Sequence, residues 1–302
     1  MTVLLNVVLP VFLVAGVTAL AHDRLRFDVQ TLSRAVFYLF APALVFDAMT
    51  NSDVSGAELG QIAVVVILST AILWLVATLA ARLLRLEGPT QAAFLNAILL
   101  MNAGNFGLSV NLFAFGQPGL ARASLFFTVS AVLSASLGVY ISASGRASAR
   151  TALKEMATVP MVYAAAIGLV LNLTGWPVPG PLAKAIQLLG QASVPVMLGV
   201  LGAKLAVTLR DGVQALHLPA LGVVTVIRLA IAPALVWGLA WFVGLDGLAR
   251  DVTVVESAMP TAVVTTILAT EYDADSSFAA LCVFVTTLAS LASLTLLLNL
   301  LT

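Results

Sequence analysis

Ten runs of 17 to 28 residues, nearly all apolar, divide this sequence, and no connection between them exceeds fourteen residues. A helix rises about 1.5 Å per residue, so each run is long enough to cross a hydrocarbon layer of about 30 Å. A membrane barrel would instead need strands of about 9–11 residues with alternating polarity, and that alternation is absent. Charged residues make up 9% of the chain, against roughly 25% in soluble proteins, so the polar surface needed to face water on all sides is missing. The reading is an all-α integral membrane protein with ten transmembrane helices: 3–20, 30–48, 60–83, 91–115, 120–142, 157–173, 181–206, 216–243, 248–270 and 276–300.

Charge and cysteine content exclude several classes. Fourteen basic and fourteen acidic residues give zero net charge, which points away from nucleic acid and from a polybasic membrane-surface segment. Cys282 is the single cysteine, so neither an internal disulfide nor a cysteine-based metal site is available. No metal or cofactor is implied. Ala19-Leu20-Ala21 imitates a signal-peptidase site, but no basic residue precedes Arg24 and the segment is long enough to span. It reads as the first span.

Basic residues in the connections orient the chain. Connections one, three, five and seven hold Arg24, Arg26, Arg82, Arg85, Arg146, Arg150, Lys154 and Arg210, whereas the even ones have only Arg122, Lys184 and Arg250 at their edges. The odd connections are therefore expected in the cytoplasm and both termini outside, in a bacterial inner (plasma) membrane.

The longest polar connection, 144–155, falls near the middle and prompts a search for an internal repeat. Pro42 in span 2 recurs as Pro195 in span 7, an offset of 153, and the same offset carries 102–107 in span 4 onto 255–260 in span 9. Five spans per half is an odd number, so the halves must be oppositely oriented: residues 1–145, a cytoplasmic loop at 146–155, and an inverted copy at 156–302. Interrupted helices at matching positions of inverted repeats are a sequence pointer to a transporter's central site.

Those interruptions have a chemical content. Span 4 carries Asn102, Gly104, Asn105, Gly107 and Asn111 within ten residues. Glycine costs about 1 kcal/mol against alanine inside a helix, and asparagine side chains compete for backbone hydrogen bonds, so unwinding is expected near 104–107. In span 9, Pro260 has no N–H and leaves the Glu256 carbonyl without its helical partner, so a break is expected at Met259 and Pro260. New half-helices would start near Gly107 and Thr261, each presenting free N–H groups and about half a positive charge. A carboxylate between them would meet amide donors from both sides.

Two charges sit deep in spans: Arg228 in span 8 and Glu256 in span 9. Each such group costs about 2.5–3.5 kcal/mol on insertion scales, so each needs a partner, water or a task. One expectation is an Arg228–Glu256 ion pair joining spans 8 and 9; the other has Glu256 titrating or facing the substrate. Asp47 and Lys204, near span ends, read as snorkelling to the interface, and His22 and His217 as interfacial.

The stretches Asn102-Ala-Gly-Asn-Phe-Gly107, Ala258-Met-Pro-Thr-Ala262 and Glu271-Tyr-Asp-Ala-Asp275, with Phe40-Ala-Pro-Ala-Leu-Val-Phe46 and Ser193-Val-Pro-Val-Met-Leu198, resemble the auxin efflux carrier family, the bacterial relatives of plant PIN carriers. The resemblance covers the full length. It implies a five-plus-five inverted fold with crossing broken helices 4 and 9. Spans 3–5 and 8–10 would form a transport domain, and spans 1, 2, 6 and 7 a scaffold with a homodimer contact. It also implies secondary transport of small organic anions, auxin-like or malate- and malonate-like, with a proton or sodium ion as the candidate coupling partner. Substrate contacts would fall on Asn102, Gly104, Asn105, Gly107, Met259 and Pro260. The long hydrophilic central loop of many plant members is lacking, and Leu108 stands where a proline commonly follows the span-4 glycine.

Other classes fare worse. Tyr272-Asp273 imitates one aspartyl-protease motif, but its Gly-x-Gly-Asp partner and any Gly-x-Ser-x-Gly elbow are absent, so no catalytic residues and no enzyme are expected. A sodium-coupled bile-acid-type symporter of similar fold and a channel remain as alternatives, separable by sodium dependence and by counterflow.

Overall fold

The structure is a computed structural model that describes residues 4–51, 53–142, 158–211 and 217–301. The loop expected at 146–155 lies outside the described residues. Among those described, the fold is helical, with one isolated antiparallel bridge.

The helices are α1 (Leu9–Leu25), α2 (Val29–Thr50), α3 (Gly56–Leu83), α4 (Gly88–Leu99), α5 (103–115), α6 (117–142), α7 (Pro160–Thr174), α8 (Gly180–Asp211), α9 (Leu218–Val243), α10 (Gly247–Ser257), α11 (Val264–Glu271) and α12 (Ser276–Leu301). Their ends follow the sequence. Asp28 caps α2 by accepting from the N–H groups of Gln30 and Thr31 at 3.0 and 3.1 Å, and Asp275 caps α12 through the Phe278 N–H, the usual work of a short acidic side chain at a helix start. Gly175 and Gly244 close α7 and α9 in the left-handed conformation that glycine adopts without strain. Gly116, at φ 66° and ψ −157°, folds the run 103–142 into two arms. Gly104 lies against Phe127, nearly equidistant from the turn, so α5 and α6 run antiparallel.

Three wide π turns, Leu4–Val8, Val36–Phe40 and Ile227–Ile231, each end two residues before a proline: Pro10, Pro42 and Pro233. Proline removes one N–H and crowds the preceding turn, and widening that turn relieves the clash without ending the helix.

Seven described helices are long and apolar enough to cross a bilayer, with Pro160–Thr174 as a shorter apolar one. Interruptions are expected in spans 4 and 9, and both are present. Expected span 4 ends at Leu99 and resumes at 103, and expected span 9 is divided into α10 and α11. Helices of 12, 11 and 8 residues reach no further than about 18 Å.

The packing turns the usual distribution inside out. Leu20, Leu75, Trp241 and Phe242 are 72–80% exposed, whereas Arg228, Glu256, Asn111 and Ser290 are fully buried. α1 packs on α8, the second half of α2 on α7 and α8, α9 on α3, and α10 on the α5–α6 arms. At the α1–α8 contact a Cβ on Gly202 would strike the Ala15 carbonyl, so glycine is what allows that approach.

Candidate functional site

The two breaks meet. Residues 100–102 and 258–263 are extended or irregular, and they pair as a short antiparallel bridge between Met101 and Thr261. The Asn102 N–H donates to the Pro260 carbonyl at 2.8 Å, and the Ala262 N–H to the Leu100 carbonyl at 2.7 Å. Each broken helix thus supplies partners for backbone groups the other left open, which buried backbone requires. Thr261 completes the joint: its hydroxyl donates to the Ala97 carbonyl at 2.8 Å, and its N–H donates to Thr286 Oγ1 of α12 at 3.0 Å.

The half-helices start at different places from those expected, at 103 and Val264 instead of Gly107 and Thr261. The first break comes earlier because Leu100 turns extended before the glycines are reached, so Gly104 and Gly107 lie in the first turn of α5. That turn is the π segment Ala103–Gly107, in which the Asn102 carbonyl accepts from the N–H groups of Phe106 and Gly107. The second start comes later because Thr261 and Ala262 are held in the bridge.

Arg228 lies beneath the joint, in the π turn ahead of Pro233. Its NH1 donates to the Ile98 carbonyl at 2.7 Å, its Nε to the Met259 carbonyl at 3.2 Å, and its NH2 to the Ser257 carbonyl. These carbonyls close the C-terminal ends of α4 and α10, where orphan acceptors and negative dipole charge gather. The ion pair anticipated between Arg228 and Glu256 does not form. Helix ends supply the counter-charge, and the Glu256 side chain points to α5.

There Glu256 Oε1 accepts from Asn111 Nδ2 at 2.9 Å, and the same Nδ2 also donates to the Gly107 carbonyl at 3.0 Å. A Cβ on Gly107 would run into the Glu256 carboxyl. Glu256 Oε2, Asn111 Oδ1 and Asn102 Nδ2 are buried without a hydrogen-bond partner.

The structure therefore brings together Asn102, Met259 and Pro260 at the joint, and Gly107 with Glu256 beside it. Gly104 faces the Phe127 ring instead, and Asn105 is partly exposed on the same turn. Sequence reasoning missed Thr261, Thr286 and the pairing role of Asn111. Asn111 stands one helical turn after Gly107, a spacing that could have flagged it; Thr286 carries no such signal. A cavity of about 340 Å³ lies away from the joint, between the end of α2 and the α7–α8 connection, and is lined by Phe46, Asp47, Asn51, Asn172 and Trp176 among others.

Residues 3–298 match the family described as Membrane transport protein, which is the auxin efflux carrier type. The chain belongs to this family. Among its relatives is an uncharacterized transporter of Methanothermobacter thermautotrophicus, 31% identical over 89% of this chain and 88% of the relative. Another, from Methanocaldococcus jannaschii, is 28% identical over 87% and 86%. The chain is accordingly an integral membrane protein of a transporter family, and the paired breaks are the part of it that departs most from plain helix packing.

Proposed function

We propose that this transporter carries small organic anions, carboxylates of the auxin-like or malate- and malonate-like classes, by alternating access, with the carboxylate bound where the two broken helices cross. The observation that carries the reading is the reciprocal backbone bonding of Asn102 with Pro260 and of Ala262 with Leu100. It joins two helix breaks that are one repeat apart in the sequence. The α5 and α11 starts leave N–H groups free of intrahelical partners, and the unused Asn102 amide donor adds a side-chain contact. Arg228 is already committed to carbonyls, so anion recognition rests on amides and helix dipoles, as at many helix N-termini.

A ten-pass, five-plus-five arrangement accounts for the packing. Counting α4 with α5 as one pass and α10 with α11 as another, exchange of the two halves turns the α1–α8 contact into the α2–α7 contact, and both occur. α1, α2, α7 and α8 then make a scaffold suited to a homodimer contact, and the remaining helices make the moving domain. At the joint Asn102, Met259, Pro260 and Thr261 are at most 4% exposed or fully enclosed, so substrate entry requires that domain to shift.

Proteoliposome counterflow of radiolabelled mono- and dicarboxylates tests the reading. Asn105→Ala and Pro260→Ala should each lower the rate by at least about tenfold, roughly 1.4 kcal/mol of lost binding or organisation, while the protein stays folded and inserted. Native rates in both variants would overturn it. Uptake that requires sodium would favour the bile-acid-type symporter alternative.

A further inference from the structure

The group at Glu256 and Asn111 is one hydrogen short. Asn111 Nδ2 donates to Glu256 Oε1 at 2.9 Å, yet the other oxygen of each group, Glu256 Oε2 and Asn111 Oδ1, is buried without a partner. Both are acceptors when the carboxyl is ionised, and an unsatisfied buried acceptor costs about 1–3 kcal/mol. A carboxylic acid and a carboxamide complement each other through two bonds, N–H to one oxygen and O–H to the other. One proton on Oε2 supplies the missing donor and removes a charge for which the described residues offer no counter-ion.

The surroundings are consistent with a proton and with nothing larger. Gly107 is so close that even a methyl group would overlap the carboxyl, which leaves no room for a metal ion and its several oxygen ligands. The charged groups on the elements packed against α10 are committed or remote. α9 brings Arg228, bound to three carbonyls. α6 brings Arg122, paired with Glu58 of α3 and with Asp53. The other charge of α3, Arg82, is exposed near its C-terminal end, and α12 contributes Cys282 and no charged side chain. On α10 itself Arg250 pairs with Asp251.

We propose that Glu256 and Asn111 form a proton-binding site next to the substrate crossover, so that a proton accompanies the anion through the transport cycle. This rests on the anion-transport reading above. The proton joins Glu256 Oε2 from water as the domain closes and returns to water on the other side; the O–H bond forms and breaks heterolytically, with no other reactant. Glu256 stands just ahead of the break in α10, so when the moving domain shifts against the scaffold and admits water to the joint, water replaces the Asn111 contact and takes the proton.

Two measurements on the full-length protein test it. In infrared spectra of purified protein, a protonated-carboxyl stretch should be present at neutral pH, vanish in Glu256→Gln, and move to higher frequency in Asn111→Leu, where the amide partner is lost. A spectrum unchanged by Glu256→Gln would overturn the site. In proteoliposomes without a membrane potential, radiolabelled malate should accumulate about tenfold per pH unit of gradient for one proton per anion, and Glu256→Gln should hold it at equal concentrations on both sides. That steady-state ratio does not depend on turnover rate. Counterflow without gradient-driven accumulation in the native protein would overturn the coupling and leave anion transport standing. Absence of counterflow with every carboxylate would remove the anion reading, and the infrared band then decides the proton site alone.

Discussion

Two buried arginines are neutralised in different ways. Arg122, 8% exposed, meets Glu58 at 2.5 Å and Asp53 at 3.0 Å, and the Asp53 side chain is 72% exposed. Arg228, fully buried, meets three backbone carbonyls from two helix ends. A carboxylate that stays hydrated is an inexpensive partner, whereas one brought to the centre must be stripped of water at a cost of several kcal/mol. Helix C-termini are already dehydrated and already oriented. The deep arginine therefore acts as a staple between the two broken helices, and among the described residues Glu256 has no cation to balance it.

Removing the staple should produce the largest effect. Arg228→Met exposes the carbonyls of Ile98, Ser257 and Met259 to an apolar interior, and the expected loss is about 3–5 kcal/mol, as when one member of a buried charged group is deleted. Thermal unfolding in detergent measures it. Arg228→Lys should recover only part, because an ammonium cannot fork to three separated acceptors. A variant melting with the native protein would mean that the carbonyls find other partners and that the contrast with Arg122 has no energetic content.

Overpacking the neighbouring contact comes next. Gly107→Ala drives a methyl group into the Glu256 carboxyl, and inserted volume in a packed interior costs about 1–3 kcal/mol. Both stability and malate counterflow should fall. Gly104→Ala should cost less, since it meets the edge of the Phe127 ring, which can turn aside. Equal effects would show that the Gly107–Glu256 contact is no more constrained than ordinary packing.

These contrasts also show what was legible in the chain. Apolar run length marked the helices, and the Asn-Gly cluster and Pro260 marked the breaks, because these residues disfavour helix wherever they are placed. The exact joint was not legible. Leu100 and Met101 are good helix formers, yet they lie in the extended segment because Ala262 donates to the Leu100 carbonyl and the Pro260 carbonyl accepts from Asn102, 162 and 158 residues along the chain. The partners of Arg228 are hidden for a related reason: a carboxylate is visible in a sequence, and a helix-end carbonyl is not. Asn111 belongs to the Asn-Gly cluster, but its bond to Glu256 depends on the side from which α10 approaches.

The smallest effect belongs to the shallow arginine and supplies a control for pH. The Arg122 guanidinium beside Asp53 holds that carboxyl below the usual carboxylate range. A lowered value in the folded state means that the contribution is complete above the unfolded value of about 3.9 and is lost only as pH falls through the lower folded one. Because Asp53 is largely hydrated, Asp53→Asn should cost only a few tenths of a kcal/mol, within the usual range of about 0–1 kcal/mol for exposed pairs. It should also leave the melting temperature equally flat between mildly acidic and neutral pH. Any pH dependence of transport near neutrality must then survive Asp53→Asn and disappear in Glu256→Gln. The reverse pattern would place the titrating group at the hydrated arginine and not at the dry one.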